Sequence, residues 1–391
     1  MSESNTRYDF LDWLRVIAIF VLLFFHTGML FVGWDFHIQN RETIPALQFP
    51  MDLAHRLRMP LLFVIAGAGL FYALQRRTAM GVLKERALRL MLPVVFGMFV
   101  IVPPQIFVER VFRGQWHGGY LDFYLHRVLQ FQPYPAGNFS WHHLWFIVYL
   151  FVYVLISLPL LARWAKRTAA WNEDLPRQGA LVLILSLGLL LGLNEALLKP
   201  MFPERHTLLS DWYVFVHYLL LMYFGFFIAS ARGLWDEISR HRALSLMLSI
   251  AIVVGGVSLI NRGVIHRDTP ADAFMANAFT WTAILAFIGY GRRWLSFQNG
   301  FLRWAREASY PVYILHQTLM LIIAYWVIQL DWTPWSKYWI VLAGTLISSV
   351  VMYQFAIRPF GIARILFGLK PKGPPAAVTT SLRSEAIPTA Q

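Results

Sequence analysis

Ten apolar runs, each close to twenty residues long, constrain this chain more than any other feature. They fall at 13–33, 57–75, 90–109, 143–162, 179–198, 211–231, 243–261, 272–291, 309–330 and 338–357. At 1.5 Å per residue, about twenty residues of helix cross a hydrocarbon layer of ~30 Å. Lipid offers no hydrogen bonds, so a crossing segment must satisfy its backbone internally, and a helix does so. The expected fold class is therefore an all-α membrane protein, a single bundle of about ten transmembrane helices. Residues 13–358 form the membrane domain, 1–12 a short N-terminus and 359–391 a tail. The KPKGPPAAVTTS stretch of that tail reads as disordered. The first run is longer than a signal-peptide core and no A-x-A cleavage site follows it, so it reads as a retained helix.

Composition agrees. Charged residues make up 14% of the chain, against about 25% in soluble domains. The net charge of +13 would suit nucleic acid in a soluble protein. Here the charges sit in loops between apolar runs, where they set orientation, and no nucleic-acid partner is expected. Of the 34 Lys and Arg residues, 23 fall on the side of the bundle that carries both termini and 11 on the other. The positive-inside rule then places both termini in the cytoplasm, with the lipid bilayer of a bacterial inner membrane as the surroundings. The absence of cysteine excludes disulfides, thiolate metal sites and a cysteine acyl-enzyme.

Two outer loops, 34–56 and 110–142, carry Trp34, His37, Trp116, His117, Tyr120, Tyr134 and Trp141. Such residues suit either a carbohydrate, whose C–H faces stack on aromatic rings, or an interfacial aromatic belt. His117 and Asp122 have the H-x4-D spacing of the glycerolipid acyltransferases, but they lie in an outer loop and read as a chance match.

Ionisable groups inside apolar runs are costly to bury and are functional candidates. Arg15 opens the first run, and His26 lies eleven steps on, about 16 Å along a helix, near the expected midplane. An imidazole there suits a general base or a hydrogen-bonded core residue. Arg86 and Arg89 share one helical face ahead of the third run, suited to clamping phosphate or to anchoring the helix. Ser309, Tyr313 and His316 line the ninth run, Asp211, Tyr213 and His217 the sixth, and His142, His143 and Trp145 open the fourth.

FLDWLRVIAIFVLLFFHTG resembles the opening of the acyltransferase-3 family of integral membrane acyltransferases, through Leu11, Asp12, Arg15 and His26. The family's R-x-x-R matches Arg86 and Arg89, and its S-Y-x-x-Y-x-x-H pattern matches Ser309, Tyr310, Tyr313 and His316. The segments HRLRMPLLFVIAGAG, HHLWFIVYL and LHQTLM are most similar to the branch that succinylates periplasmic glucans. The likeness covers about residues 8–370. It departs at Ala66-Gly67, where Ser-Gly is usual, and at Gln354 and Arg358, near which relatives often carry a Glu.

The resemblance implies transfer of a succinyl or acetyl group from cytoplasmic acyl-CoA to a carbohydrate hydroxyl on the periplasmic side. His26 would be the base and Arg15 its catalytic companion. Arg86 and Arg89 would hold acyl-CoA, with Asp12, Arg58, His143, Trp145, Tyr313 and His316 as supporting candidates. No bound cofactor and no metal is expected beyond the acyl-CoA donor. A transporter or flippase of a glycan or lipid intermediate also accounts for ten helices with polar groups inside. The orientation is checked by reporter fusions at Gln391 and within 110–142, which should report opposite sides of the membrane; matching reports would overturn the ten-span topology.

Overall fold

The computed structural model describes residues 8–168, 177–231 and 233–371. The bundle consists of α1 (Asp9–Gly28), α2 (Pro45–Leu74), α3 (Ala79–Phe112), α4 (His142–Thr168), α5 (Arg177–Leu198), α6 (Trp212–Ser230), α7 (Arg242–Asn261), α8 (Pro270–Trp294), α9 (Gly300–Val327) and α10 (Pro334–Ile357). Among the described residues, nine of these are long and apolar enough to cross a membrane, and α5 adds the apolar stretch Leu185–Leu198. Each expected run has its helix, and no strand occurs among the described residues, only a bridge between Pro133 and Phe139.

Helix ends depart from the apolar runs for identifiable reasons. α2 starts twelve residues before its run because Pro45 suits a first helical turn, where its missing N–H costs nothing. Its next turns carry Gln48, Asp52, His55, Arg56 and Arg58, too polar for hydropathy to register. α9 likewise begins at Gly300, where the Asn299 side chain accepts the Leu302 N–H at 2.8 Å. Arg303, Arg306 and Glu307 had hidden that start. α1 does the reverse and stops at Gly28. The N–H groups of Met29, Leu30 and Phe31 turn back onto Phe25, Thr27 and Gly28 carbonyls, and Leu30 and Phe31 are fully buried in that turn. His26 therefore occupies the last turn of α1, not the middle of a span.

The start of α1, the start of α9, the start of α3 and the end of α10 meet on one face of the bundle, called here the terminal face. Arg306 reaches Asp12 at 3.4 Å, and Arg89 Nε donates to the Gly368 carbonyl at 3.0 Å. A short helix, Gly361–Leu366, follows α10 and is pinned by Arg364 donating to Glu307 at 2.8 Å. The chain up to Pro371 thus belongs to the packed structure, and the stretch expected to be disordered lies outside the described residues apart from its first two residues. The opposite, loop face carries 29–44, 113–141 and 199–211.

Prolines shape α3. Pro93 and Pro103 lack the N–H that an α-helix would turn toward the carbonyl four residues back. Those carbonyls belong to Arg89 and Phe99, and tyrosines supply the missing donors: Tyr310 OH to Arg89 O at 3.1 Å and Tyr124 OH to Phe99 O at 3.1 Å. Two stretches of wider π-helical turn, Ala87–Met91 and Gly97–Ile101, precede the prolines.

α2 and α6 form the closest helix pair. A Cβ added at Gly67 would lie 1.9 Å from the Met222 carbonyl oxygen, and one at Gly225 would lie 1.9 Å from that of Val64. Helices in lipid associate through such small residues, because contact depends on packing and not on water exclusion. The glycine of the Ala66-Gly67 pair is therefore required by geometry, whatever precedes it. Gly67→Ala and Gly225→Ala should each destabilise the purified protein by about 1–3 kcal/mol, the usual cost of overpacking. Thermal unfolding in detergent measures this; an unchanged midpoint for both would show that the pair is not in backbone contact.

Candidate active site

Two helices bring two imidazoles together. His26, in the last turn of α1, and His316, four turns into α9, meet with Nδ1 of His26 2.9 Å from Nε2 of His316. The other ring nitrogen of His316, Nδ1, lies 2.6 Å from the Tyr313 carbonyl oxygen. A carbonyl only accepts, so His316 Nδ1 carries its proton and Nε2 is left as an acceptor. His26 Nδ1–H donates into it. The remaining lone pair of the pair is then at His26 Nε2, on a half-buried side chain. The sequence pairs neither residue with the other; they are 290 positions apart.

The rest of the S-Y-x-x-Y-x-x-H pattern holds α9 in place. Tyr310 binds the Arg89 carbonyl of α3, and Tyr313 OH donates to the His143 carbonyl of α4 at 2.5 Å. His143 Nε2–H donates to the Ile314 carbonyl at 3.0 Å, and its ring packs edge-on to His316 with centroids 5.3 Å apart. Ser309 caps nothing distant; its hydroxyl bonds Arg306 O one turn back.

A polar layer that the sequence reading missed lies next to this centre. Gln105 of α3 donates to Thr318 Oγ1 at 2.8 Å and to His143 Nδ1 at 3.3 Å, and accepts from Gln317 at 3.1 Å. Gln317 also donates to His37 Nε2 at 3.2 Å. That fixes the His37 proton on Nδ1, which donates to Glu109 Oε2 at 2.5 Å. Glu109 is buried and also accepts from Tyr134 OH at 3.1 Å. Burial and the neighbouring Glu109 push the Tyr134 hydroxyl up to about 12, so it remains a donor. Glu109 falls within the expected third span, so the rule that flagged His26 would also have flagged it; Gln105 lies there too but is not ionisable.

His37, Glu109 and His142 bring three ligand-type atoms within 4.8 Å of one another. The His37 Nδ1 proton occupies the space between two of them, so in this tautomer the set is a hydrogen-bonded dyad with His142 stacked on it, ring centroids 4.7 Å apart.

The arginine candidates lie at the terminal face and differ from each other. Arg89 is committed: Nε to Gly368 O, and Nη1 to Glu85 at 3.3 Å. Arg86 is half-buried and no protein group among the described residues satisfies its buried Nε. Arg15 pairs with Asp12 at 3.0 Å, and Asp12 with Arg306. The Arg15 guanidinium therefore stands in the N-terminal half of α1, eleven residues or about 16 Å of helix from His26.

Trp145 is not brought to His26. It stacks on His206 of the 199–211 loop, centroids 4.0 Å apart, and packs on Tyr149 and Tyr218. Gln354 and Arg358 bond each other at 3.1 Å. Asp122 pairs with His126 at 2.8 Å, and His117 is exposed. Arg58, on α2, lies over the Phe25 ring beside His26. Next to it a cavity opens that is lined by His55, Arg56, Glu195, Glu204, His217 and Asn277. It offers donors and acceptors together: Asn277 donates to Glu195 at 2.7 Å, and His206 lies 3.0 Å from Glu204.

A family model described as an acyltransferase domain matches residues 8–354. Among curated proteins, the chain is similar to the glucans biosynthesis protein C of Escherichia coli strain K12, at 22% identity over 389 residues, covering 93% of this chain and 95% of that protein. The protein of the same name from E. coli O139:H28 is 22% identical over 386 residues with the same coverage. No solved structure matches the chain. With the family match spanning nearly all of the bundle just described, the chain is a multi-pass membrane protein that belongs to the acyltransferase-3 family of acyl-transferring enzymes.

Proposed function

We propose that this protein transfers a succinyl or acetyl group from cytoplasmic acyl-CoA to a hydroxyl of a glucan or related glycan on the periplasmic side of the inner membrane. The observation that carries this reading is the ordered pair of imidazoles. Tyr313 O fixes the tautomer of His316, His316 fixes that of His26, and a single unprotonated Nε2 is left on a half-buried ring. That is the state a general base must hold before it meets a hydroxyl. The relatives named for glucan biosynthesis supply the acceptor class, and the polar cavity lined by Glu195, Glu204, His217 and Asn277 suits a polyol.

The donor's phosphates bind at Arg86 on the terminal face, and its pantetheine arm runs up the bundle toward His26. The acceptor hydroxyl gives its proton to His26 Nε2 as its oxygen attacks the thioester carbon. The C–S bond breaks, and the thiolate takes the proton back from His26 to leave as free thiol. Donation from His26 Nδ1 to His316 stabilises the imidazolium formed in between, as an orienting acceptor does in other imidazole bases. Arg15, tied to Asp12, acts in this scheme on the donor side.

Two sets of variants test the scheme. His26→Gln keeps polarity but cannot take a proton near neutral pH, and should lower acyl transfer by ~10²–10⁴ at unchanged stability. His316→Leu should reduce turnover nearly as far, and His316→Gln, which still offers an oxygen to His26 Nδ1–H, should restore part of it. Near-parental turnover by His26→Gln would remove it from the mechanism. For the donor, Arg86→Ala should raise the KM for acyl-CoA at parental thermal stability. Arg89→Ala should chiefly lower the unfolding midpoint, since it cuts α3 from Gly368. Equal effects of the two on KM would contradict the division of roles.

A further inference from the structure

The guanidinium of Arg58 is a buried charge whose neighbouring carboxylate, Glu204, is reached only through His55. Its side chain is 9% exposed. Among the described residues no carboxylate lies within ion-pair distance of it. Nη1 makes two long contacts, 3.4 Å to its own helix at Ala54 O and 3.3 Å to His55 Nδ1. Nε is buried and unpartnered. Arg56 pairs with Glu195 at 3.6 Å, and Glu204 reaches His206 at 3.0 Å and His55 at 3.7 Å, so the Glu204 charge acts on Arg58 through His55 and not by direct contact. Burying an unpaired guanidinium is strongly unfavourable unless an anion completes it. Stacking on Phe25, 3.4 Å from guanidinium carbon to ring centroid, offsets part of that cost, but supplies no acceptor for Nε.

Position narrows the anion. The Phe25 and His26 rings are 5.7 Å apart, so Arg58 lies within about 9 Å of the imidazole centroid. Along α2, the sixteen residues from Arg58 to Leu74 measure about 24 Å, which separates it from the terminal face and from Arg86. The donor's phosphates therefore do not reach it when they are held at Arg86. A carboxylate two methylenes beyond the reacting carbonyl, about 4 Å away by bond lengths, does.

We propose that Arg58 is the subsite for a carboxylate carried by the substrate, and that this carboxylate is the distal end of a dicarboxylic acyl group. This rests on the acyl-transfer reading and decides within it between succinyl and acetyl donors. Arg58 is a specificity-determining residue in this assignment. A bidentate contact from its planar fork would satisfy Nε and Nη2 together, which an ammonium could not do.

The test has a catalytic arm and a binding arm. In the first, release of free thiol from succinyl-CoA and from acetyl-CoA is followed with a glucan oligosaccharide as acceptor, for the parent, Arg58→Gln and Arg58→Lys. The parent should favour succinyl-CoA in kcat/KM by about tenfold or more, as expected for one charge-assisted pair. The ratio should collapse toward one in Arg58→Gln and be partly kept in Arg58→Lys. An unchanged ratio in a folded Arg58→Gln protein overturns the proposal. In the second arm, unfolding midpoints in detergent are read with monomethyl succinate, its neutral isostere methyl butyrate, or glucuronate. An upward shift with monomethyl succinate alone, lost in Arg58→Gln, supports the subsite even if the parent transfers neither donor, in which case the transfer reading fails separately. A shift with glucuronate alone places the carboxylate on the acceptor and overturns the acyl-chain assignment. No shift with any probe overturns the subsite.

Discussion

One face of α9 carries the interactions on which the site depends. Tyr310, Tyr313 and His316 are spaced one turn apart, and each hydrogen-bonds a different helix: α3 through Arg89 O, α4 through His143 O, and α1 through His26. Helices in lipid gain little from apolar contact with one another, so such bonds have more influence on register than they would in water. Sliding α9 by one turn, about 5.4 Å, would break all three at once. The same residues therefore hold the bundle in register and set the proton positions of the paired imidazoles.

The arrangement also shows how a polar centre survives in an apolar bundle. Prolines open the hydrogen-bond ladder of α3, and the carbonyls of Arg89 and Phe99 become fixed acceptors aimed sideways. Gln105, Gln317 and Thr318 then pass hydrogen bonds from helix to helix, ending on His143 on one side and on His37 and Glu109 on the other. Nearly every member is satisfied, which a low-dielectric setting demands. Exceptions such as Arg58 Nε and Arg86 Nε are the informative ones, because a ligand can complete them.

Much of this was legible in the sequence. Apolar runs of sufficient length located all ten helices, since hydrocarbon thickness leaves few alternatives. Arg15, His26 and His316 were singled out because ionisable groups inside spans are costly, and Arg86 because it shares a helical face with Arg89 just ahead of a span. What stayed hidden depends on tertiary contact. Hydropathy could not separate the buried turn at Leu30 and Phe31 from a helix, nor recognise the polar first turns of α2 and α9. The pairing of His26 with His316 follows from packing of α1 on α9, and no local pattern encodes it. Arg86 and Arg89 look alike in the sequence; contacts with Glu85 and with Gly368, far along the chain, commit Arg89 alone. Trp145 was drawn in by its neighbours His142 and His143, yet its ring turns to the 199–211 loop.

The true end of α1 changes how two substrates would share the bundle. From Asp9 to His26 is seventeen residues, about 26 Å of helix, most of the ~30 Å hydrocarbon thickness. The nitrogen proposed as the base thus lies close to the loop face and far from Arg86. A sugar, whose hydroxyls lose several hydrogen bonds to water on entering an apolar phase, need penetrate only to the depth of the polar cavity around Glu204 and His217. The longer path falls to the proposed donor. Its pantetheine arm is thin and mostly uncharged, so threading it between helices desolvates far less polar surface than moving a glycan would. With His26 as the proposed base, its place at the far end of α1 would give the crossing to the substrate for which it costs least.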